Sequence, residues 1–296
     1  MIDGALLLDK PLGLSSNRAL QEAKKLLGAR KAGHAGTLDP LASGLLVLLF
    51  GEATKFAGLM LDAEKAYLAT VKLGSRTSTA DAEGTVLESR PVTATAAQVG
   101  EVLRHFRGSI GQVPPMHSAL KRDGVPLYRL ARKGESVERP TRRVEVHELE
   151  LVRYAPPLLE LRVRCSKGTY IRTLAEDIGA ALGTLAHLAA LRRTASGRFQ
   201  VAQATTLDAL RASADRDRCV LPLAALLAHL PSAELDAAAE SRLRQGQALK
   251  ISGLRAGLCA LYGAGGAVIG LGEALDEGVV KAVRLTQAAE KHPKTL

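Results

Sequence analysis

The sequence contains no tryptophan, and aromatic residues make up only 3% of its 296 residues. Aliphatic side chains must therefore supply most of the core packing, and a hydrophobic fraction of 47% is ample for that. The three cysteines (Cys165, Cys219 and Cys259) lie far apart and form no C-x-x-C pair. Such an odd, sparse set argues against a disulfide framework and against a zinc site.

Long apolar runs are also missing. The longest, such as Leu45 to Phe50, fall far short of the roughly 20 residues that a membrane-spanning helix needs. The N-terminus, Met1-Ile2-Asp3-Gly4, lacks a positive segment followed by an apolar one, so no signal peptide is predicted. We therefore expect a soluble, cytoplasmic protein without membrane contact.

Charge is unbalanced: 40 Lys and Arg stand against 30 Asp and Glu, which gives a net charge of +10 and a pI near 9.7. A basic excess of this size suggests a polyanionic partner, because each phosphate contact releases condensed counterions. A solvated basic surface would give the same count. Charge alone therefore leaves nucleic acid and a bland surface equally open.

Apolar periodicity predicts strands and helices without regular β-α-β alternation. Strands are predicted at Gly4 to Leu8, Leu45 to Phe50, Tyr67 to Leu73, Val144 to Leu151 and Leu158 to Cys165. Helices are predicted after an N-cap at Ser15 or Ser16, after a Thr95/Gln98 capping box, near Leu127 to Ala131 and near Tyr170 to Leu182. Residues 29 to 44 are glycine-rich, show no apolar period and are predicted to form a loop. The pattern favours an α+β fold with a largely antiparallel mixed sheet flanked by helices.

Two regions differ from this pattern. Residues 114 to 143 carry eight basic side chains against three acidic ones, which is typical either of a solvated loop or of an arm that binds a polyanion. Residues 231 to 296 combine one helix, Ala237 to Arg244, with four short strands between glycines. We predict two domains, residues 1–230 and a small β-rich domain at 231–296.

The candidate for chemistry is Asp39, in the run Lys31-Ala32-Gly33-His34-Ala35-Gly36-Thr37-Leu38-Asp39-Pro40-Leu41-Ala42-Ser43-Gly44. The glycines let the backbone turn sharply, and a carboxylate before proline is held extended, which suits a rigidly placed nucleophile. An ordinary Asp-Pro turn at the surface, with His34 solvated, explains the same residues. The residues alone do not decide between these interpretations.

The stretch from Gly33 to Gly44 resembles the catalytic loop of the TruB-type pseudouridine synthases. Four further regions match the same family in the same order. They are Asp9 to Asn17; Lys65-Ala66-Tyr67 with Leu73 to Asp81; Pro114 to Lys121; and Ser166 to Leu174. The resemblance thus extends over residues 9–174, and more loosely over a PUA-like domain at 231–296.

This resemblance implies isomerisation of the T-loop uridine at tRNA position 55 to pseudouridine. The N-glycosidic bond breaks, the uracil rotates while bound, and a C–C bond forms to C5. The implied substrate is the T-arm stem-loop of tRNA, read by a monomer with no obligatory protein partner. No metal and no organic cofactor is expected.

The resemblance also implies roles for individual residues. Asp39 becomes the catalytic carboxylate, which attacks the sugar, attacks the base or removes the ribose 2′ proton. Tyr67 stacks on the uracil near the departing C5 proton, and Arg172 pairs with Asp39 and keeps it ionised. Lys10, Tyr170 and Leu191 lie at the base pocket, His34 fills the space left by flipped bases, and Lys121, Arg122, Arg129, Arg132 and Arg142 belong to an RNA-clamping arm over residues 114–143.

Each role has a plain structural alternative. Without the resemblance, Tyr67 is more simply a strand aromatic in the core, and Tyr170 and Leu191 suit a core equally well. An arginine near a helix start, such as Arg172, is usually a surface charge, and Lys10 could be a solvent-exposed lysine. Three rival functions also remain: a tRNA-folding chaperone that needs no catalysis, a hydrolase that releases the base, and a general polyanion binder.

Overall fold

The computed structural model describes residues 2–287, which form one large sheet, one smaller sheet and two short hairpins. The strands are β1 (Gly4–Lys10), β2 (Ala32–His34), β3 (Ala42–Phe50), β4 (Lys65–Leu73), β5 (Ser75–Thr77), β6 (Val86–Ser89), β7 (Gly108–Gln112), β8 (Lys121–Arg122), β9 (Val125–Pro126), β10 (Arg142–Ala155), β11 (Leu158–Cys165), β12 (Ala186–Ser196), β13 (Phe199–Gln200), β14 (Val220–Pro222), β15 (Ser232–Leu235), β16 (Leu249–Lys250), β17 (Gly257–Gly263), β18 (Val268–Ala274) and β19 (Val279–Leu285). The α-helices are α1 (Ser16–Leu26), α2 (Ala57–Asp62), α3 (Ala96–His105), α4 (Leu127–Arg132), α5 (Ile171–Ala181), α6 (Leu207–Ala212), α7 (Ala224–Leu227) and α8 (Ala237–Arg244).

The large sheet has the order β14-β1-β3-β12-β4-β11-β10-β7, with β2 added beside β3 and β13 beside β12. Its pairings are antiparallel except that of β3 with β12, which is parallel. The predicted α+β class with a largely antiparallel mixed sheet is confirmed.

Strands β1 and β3 are buried along almost their whole length, because both faces of the sheet are covered there. Leu6, Leu8, Leu46 and Leu48 join one core with helices α1, α3 and α5. The alternate residues of both strands face a second core on the opposite side of the sheet. A period of two thus divides one apolar run between two cores.

The predicted helices are confirmed, and the caps predicted for α1 and α3 are present. The Ser15 hydroxyl accepts a hydrogen bond from the Arg18 backbone N–H, and Thr95 and Gln98 form the reciprocal capping box of α3. Helix α5 begins after Tyr170, which has no side-chain cap.

Two predictions from periodicity need correction. Residues 29–44 are not entirely a loop, because Ala32–His34 forms β2 against β3, and β3 itself begins at Ala42. Strand β12, in the middle of the sheet, was not predicted. Arginines interrupt its apolar pattern, and its inward-facing Arg193 is buried through tertiary hydrogen bonds that no local pattern reveals.

The smaller sheet has the order β15-β17-β18-β19-β16, so the prediction of a β-rich C-terminal region is confirmed. Strand β15 was not predicted, and the last nine residues of the proposed C-terminal domain, 288–296, lie outside the described residues, as does Met1. The boundary at 230/231 stays a prediction. No helix in residues 2–287 is both long and apolar enough to span a membrane.

Candidate active site

Residues 35–41, between β2 and β3, form the Asp39 loop. A cleft of about 550 Å³ lies where this loop, strands β4 and β12 and the start of α5 meet. Five of the seven residues predicted to be catalytic or to bind the substrate base line it: Asp39, Tyr67, Tyr170, Arg172 and Leu191. They come from four separate regions of the chain. Lys10 and His34 are not among the lining residues.

Asp39 and Arg172 form an ion pair in this cleft. The Arg172 Nη2 atom lies 3.1 Å from Asp39 Oδ2, and the arginine side chain is buried while that of Asp39 remains 42% exposed. Arg172 also donates to the carbonyl oxygens of Thr79 and His117, at 3.1 and 2.6 Å. The arginine is therefore fixed from several sides, and it holds a carboxylate that a ligand can still reach.

A second carboxylate, that of Asp81, lies near the other terminal nitrogen of the same arginine. Its Oδ2 lies 3.7 Å from Arg172 Nη1, and its side chain is buried. Asp81 also accepts hydrogen bonds from the Thr79 hydroxyl and from the Glu83 backbone N–H. A buried arginine near a helix N-terminus is unfavourable by itself, and the two carboxylates offset its charge. Asp81 lay within a matched motif, but nothing in its spacing marked it as a site residue.

Tyr67 lies on β4, where alternate residues point into the sheet's covered face. Its ring is almost fully buried, and burial raises the pKa of its hydroxyl. The guanidinium of Arg193 lies 5.6 Å from the ring centroid, and Arg193 Nε lies 3.4 Å from the Tyr67 hydroxyl. Arg193 was not identified from the sequence.

The backbone around Asp39 is anchored residue by residue. The buried Ser16 hydroxyl accepts a hydrogen bond from Leu38 N–H at 2.7 Å and donates to Leu38 O at 2.8 Å. The Gly13 N–H donates to Pro40 O at 2.9 Å. At Gly44 the chain has a φ of +99°, and a Cβ there would meet the Arg193 carbonyl oxygen at 2.2 Å. These contacts hold the loop rigid on both sides of the carboxylate.

Lys10 is completely buried at the end of β1 and does not line the cleft. Its ammonium donates to Leu14 O at 2.6 Å and to Pro11 O at 2.9 Å. Burial lowers its pKa to about 8, although the negative charge of Asp39 acts in the opposite direction. Lys10 thus fixes the turn beside the Asp39 loop and adds positive charge near the carboxylate.

His34 lies on β2, opposite Leu48 of β3, and is half-buried. Its Nδ1 atom is buried without a hydrogen-bond partner among the described residues. Burial, assisted by the nearby Arg193 charge, lowers the pKa of the imidazole. The ring is therefore neutral at pH 7, and it stands at the edge of the loop rather than in the cleft.

Tyr170 and Leu191 form walls of the cleft. The Tyr170 N–H donates to Gln112 Oε1 at 3.0 Å, and burial raises the pKa of its hydroxyl. Leu191, on β12, is opposite Ala42 and Ala69 in the neighbouring strands. The missed strand β12 thus carries both Leu191 and Arg193 to the cleft.

The basic segment folds as a small hairpin, β8–β9, followed by α4. Arg132 and Tyr128 of α4 reach the edge of the main cleft. Lys121, Arg122 and Arg142 line a separate hollow of about 450 Å³, and Arg129 is exposed on α4. Among the described residues, no group of three His, Cys, Asp or Glu side chains is arranged to hold a metal ion.

Family models match almost the whole chain. Residues 24–171 match the N-terminal domain of the TruB family of pseudouridylate synthases, and residues 172–228 match the C-terminal domain of tRNA pseudouridylate synthase B. Residues 231–286 match a further C-terminal model, that of pseudouridine synthase II TruB.

Curated relatives agree with these matches, and each is named tRNA pseudouridine synthase B. The protein of Azoarcus sp. (strain BH72) is 56% identical over 275 residues, which cover 92% of this chain and 91% of the relative. That of Burkholderia mallei (strain NCTC 10247) is 54% identical over 293 residues, covering 96% and 97%. That of Thiobacillus denitrificans is 53% identical over 275 residues, covering 92% of each.

Two solved structures share the fold. One is a chain of a Cbf5-Nop10-Gar1 complex, with a TM-score of 0.74 and 27% identity over 96% of this chain and 84% of that one. The other comes from an H/ACA RNP bound to a substrate RNA containing 2′-deoxyuridine. It has a TM-score of 0.72 and 25% identity, covering 98% and 87% of the two chains.

Proposed function

Since this chain belongs to the TruB family of pseudouridylate synthases, we propose that it isomerises a uridine of tRNA to pseudouridine, and that the target is the T-loop uridine at position 55. It is an isomerase of tRNA modification, like the relatives named tRNA pseudouridine synthase B. The single observation that carries the assignment of the site is the Asp39–Arg172 ion pair in a cleft of nucleotide size.

Asp39 is proposed as the catalytic carboxylate. The reaction breaks the bond between ribose C1′ and uracil N1, forms a bond from C1′ to C5, and returns a proton from C5 to N1. A carboxylate can serve it by attacking the sugar or the base, or by removing the ribose 2′ proton. Arg172 supports each route, because its ion pair orients one carboxylate oxygen while the exposed remainder of Asp39 faces the cleft.

Tyr67 is proposed as the surface on which the uracil stacks. Its buried ring forms part of the cleft wall, and its raised hydroxyl pKa keeps it protonated at neutral pH. Tyr170 and Leu191 complete the pocket, and Lys10 supports it from behind by holding the turn at Pro11. Aromatic and apolar walls beside charged and hydrogen-bonding groups suit a flipped nucleobase.

The uridine must leave its stacked position before it can reach Asp39, at a cost of roughly a few kcal/mol. We propose that His34, at the edge of the loop, takes up space vacated by the flipped bases and so offsets lost stacking. A neutral, flat imidazole, whose Nδ1 has no hydrogen-bond partner within residues 2–287, is suited to stack and to form one new hydrogen bond.

The arm is proposed to hold the RNA backbone. Lys121, Arg122 and Arg142 are exposed around one hollow, Arg129 is exposed on α4, and Arg132 reaches the main cleft. Exposed cations grouped in this way suit the phosphate groups of an RNA backbone, and the overall charge of +10 agrees with such a partner. We further propose that the protein acts as a monomer, in the cytoplasm, on the T-arm stem-loop, and without a cofactor.

The direct test incubates the purified protein with a T-arm stem-loop, without added cofactor, and analyses the nucleosides of the RNA. The wild-type chain is expected to produce pseudouridine, whereas Asp39→Asn is expected to bind RNA and produce none. Asp215→Asn is the matched control, because this carboxylate is also partly exposed and paired with an arginine, Arg218, at 2.9 Å. The control should retain full activity.

The alternatives predict different products. Release of free uracil would identify a base-releasing hydrolase. Activity that survives Asp39→Asn would remove Asp39 from the chemistry, and equal affinity for a T-loop and an unrelated RNA at matched salt would point to a general polyanion binder.

A further inference from the structure

We propose that Arg193 is a positioning residue, which fixes the Asp39 loop and Tyr67 at a set distance and orientation from each other. The inference rests on the proposed function, because it assigns Arg193 a part in that site. It concerns a residue that makes no direct contact with Asp39 and acts through the backbone on both sides of it.

Arg193 lies on the central strand β12, where its Cα is paired with Gly44 of β3 and with Tyr67 of β4. It is 3% exposed. Its side chain therefore starts between the two elements that carry the proposed catalytic groups, and it extends into the space between them.

The guanidinium binds three backbone carbonyl oxygens, two in the loop before Asp39 and one in strand β3 after it. Nη1 donates to Gly36 O at 3.2 Å and to Leu45 O at 3.3 Å, and Nη2 donates to Thr37 O at 2.9 Å. Gly36 and Thr37 precede Asp39 in the chain, and Leu45 follows it. One planar group thus connects the chain before Asp39 to the strand that follows it.

The same guanidinium also contacts Tyr67. Its Nε lies 3.4 Å from the hydroxyl oxygen, and its central carbon lies 5.6 Å from the ring centroid. The Asp39 loop and the Tyr67 ring are otherwise held by different strands. Arg193 touches both.

These contacts leave little of the guanidinium for a substrate. An arginine has five N–H donors, and four contacts to protein oxygens are made by the three nitrogens of Arg193. No carboxylate oxygen within residues 2–287 lies in ion-pair distance of it. The group is buried as a cation because carbonyl dipoles and an aromatic face stabilise it, as expected of a structural clamp rather than of a phosphate ligand.

A rigid fork is required for this arrangement. A lysine at the same position would keep the charge, but a single ammonium cannot reach carbonyls and a hydroxyl that lie in several directions. The inference therefore predicts that charge alone does not restore activity. Displacement of a reacting group by about 1 Å is enough to lower a rate by about 100-fold.

The experiment compares Arg193→Lys and Arg193→Met with Arg192→Lys as the matched control. Arg192 is the neighbouring arginine, and it forms a bidentate ion pair with Asp9 at 2.7 and 3.0 Å and a longer contact of 3.4 Å with Ser43 Oγ. Its hydrogen bonds do not involve Gly36, Thr37 or Leu45, the three residues whose carbonyl oxygens accept from Arg193. Each full-length variant is assayed for kcat and KM on a T-arm stem-loop, at a temperature at which circular dichroism shows it to be folded.

We expect both Arg193 variants to lose about 100-fold in kcat while KM stays at the wild-type value, and Arg192→Lys to leave both constants unchanged. Wild-type kcat in folded Arg193→Lys would overturn the inference, because charge would then be sufficient. An increase in KM with unchanged kcat would also overturn it, since Arg193 would then contact RNA. If both Arg193 variants fail to fold, Arg193 holds the core and not the site, and the inference is wrong. A wild-type chain that forms no pseudouridine would instead refute the proposed function.

Discussion

Ser15 and Ser16 are adjacent and identical, yet the structure gives them different tasks. Ser15 is exposed and accepts a hydrogen bond from the Arg18 N–H, as an ordinary N-cap does. Ser16 is buried and satisfies both backbone groups of Leu38, the residue before Asp39. One hydroxyl therefore stabilises a helix, and the other holds the proposed catalytic loop.

Ser16→Ala is expected to destabilise the protein by about 1–3 kcal/mol, because it leaves a buried N–H and a buried carbonyl unpaired. It is also expected to lower kcat, because Leu38 is released next to Asp39. Ser15→Ala should cost about 1 kcal/mol and leave kcat unchanged. Urea denaturation and steady-state turnover measure the two effects. Equal kcat values for both variants would show that the Leu38 anchor does not matter for the site.

Some site residues can be found from motifs in the sequence, whereas others become significant only through their contacts in the folded protein. Asp39 and Arg172 were found through motifs that resemble a known family, and they lie 3.1 Å apart. Asp81 and Arg193 were missed because an isolated acidic or basic residue suggests a surface charge. Only burial against Arg172, or against the carbonyls of the Asp39 loop, makes them significant.

At the scale of elements, the basic arm was predicted from the sequence but its hairpin was not, and strand β12 was not predicted at all. The arm was recognisable from its charge, although its hairpin β8–β9 was not. Strand β12 was missed, although it pairs with β3 on one side and with β4 on the other. Strand β12 therefore connects β3, which follows the Asp39 loop, with β4, which carries Tyr67.

The double variant Lys121→Gln/Arg129→Gln tests the arm. Each lost phosphate contact should reduce the slope of log affinity against log salt by about 0.7–0.9, so two contacts should reduce it by about 1.4–1.8. We expect KM to rise at fixed salt and kcat at saturating RNA to be retained. Affinity for a T-arm stem-loop, measured over a range of salt concentrations, provides the slope.

The control for this variant removes the same charge from another surface. Arg153→Gln/Arg162→Gln lies on the exposed face of β10 and β11, where both arginines pair with glutamates. Its salt slope should equal that of the wild type. A reduction of the same size in both double variants would mean that net charge, and not the arm, governs RNA affinity.

At the scale of the whole molecule, the smaller sheet packs directly on the large one. Ala260 and Leu271 of the smaller sheet belong to the same buried cluster as Leu45, Val47 and Phe56. The backbone N–H of Gln287 also donates to Glu52 Oε2 at 2.6 Å. The C-terminal region therefore completes the core behind strand β3, the strand that follows the Asp39 loop.

Leu271→Ala is expected to lower the free energy of unfolding by about 2–5 kcal/mol, because it opens a cavity in this shared core. Leu258→Ala is the control, since Leu258 lies on the adjacent strand and is 39% exposed against 5% for Leu271. Denaturant unfolding should show a loss below about 1 kcal/mol for the control. If the free energy of unfolding falls as little in Leu271→Ala as in the control, the packing between the sheets contributes little to stability.

The sequence by itself determined the fold class, strands β1, β3, β4, β10 and β11, the caps of α1 and α3, and the family to which the motifs point. These features depend on local periodicity and on short ordered motifs, which can be read along the chain. Tertiary structure alone decided the contacts of residues that no motif marked, such as Asp81 and Arg193. Burial and hydrogen-bond partners depend on contacts such as that between Arg193 and Thr37, which are 156 residues apart, and no pattern within one segment encodes them.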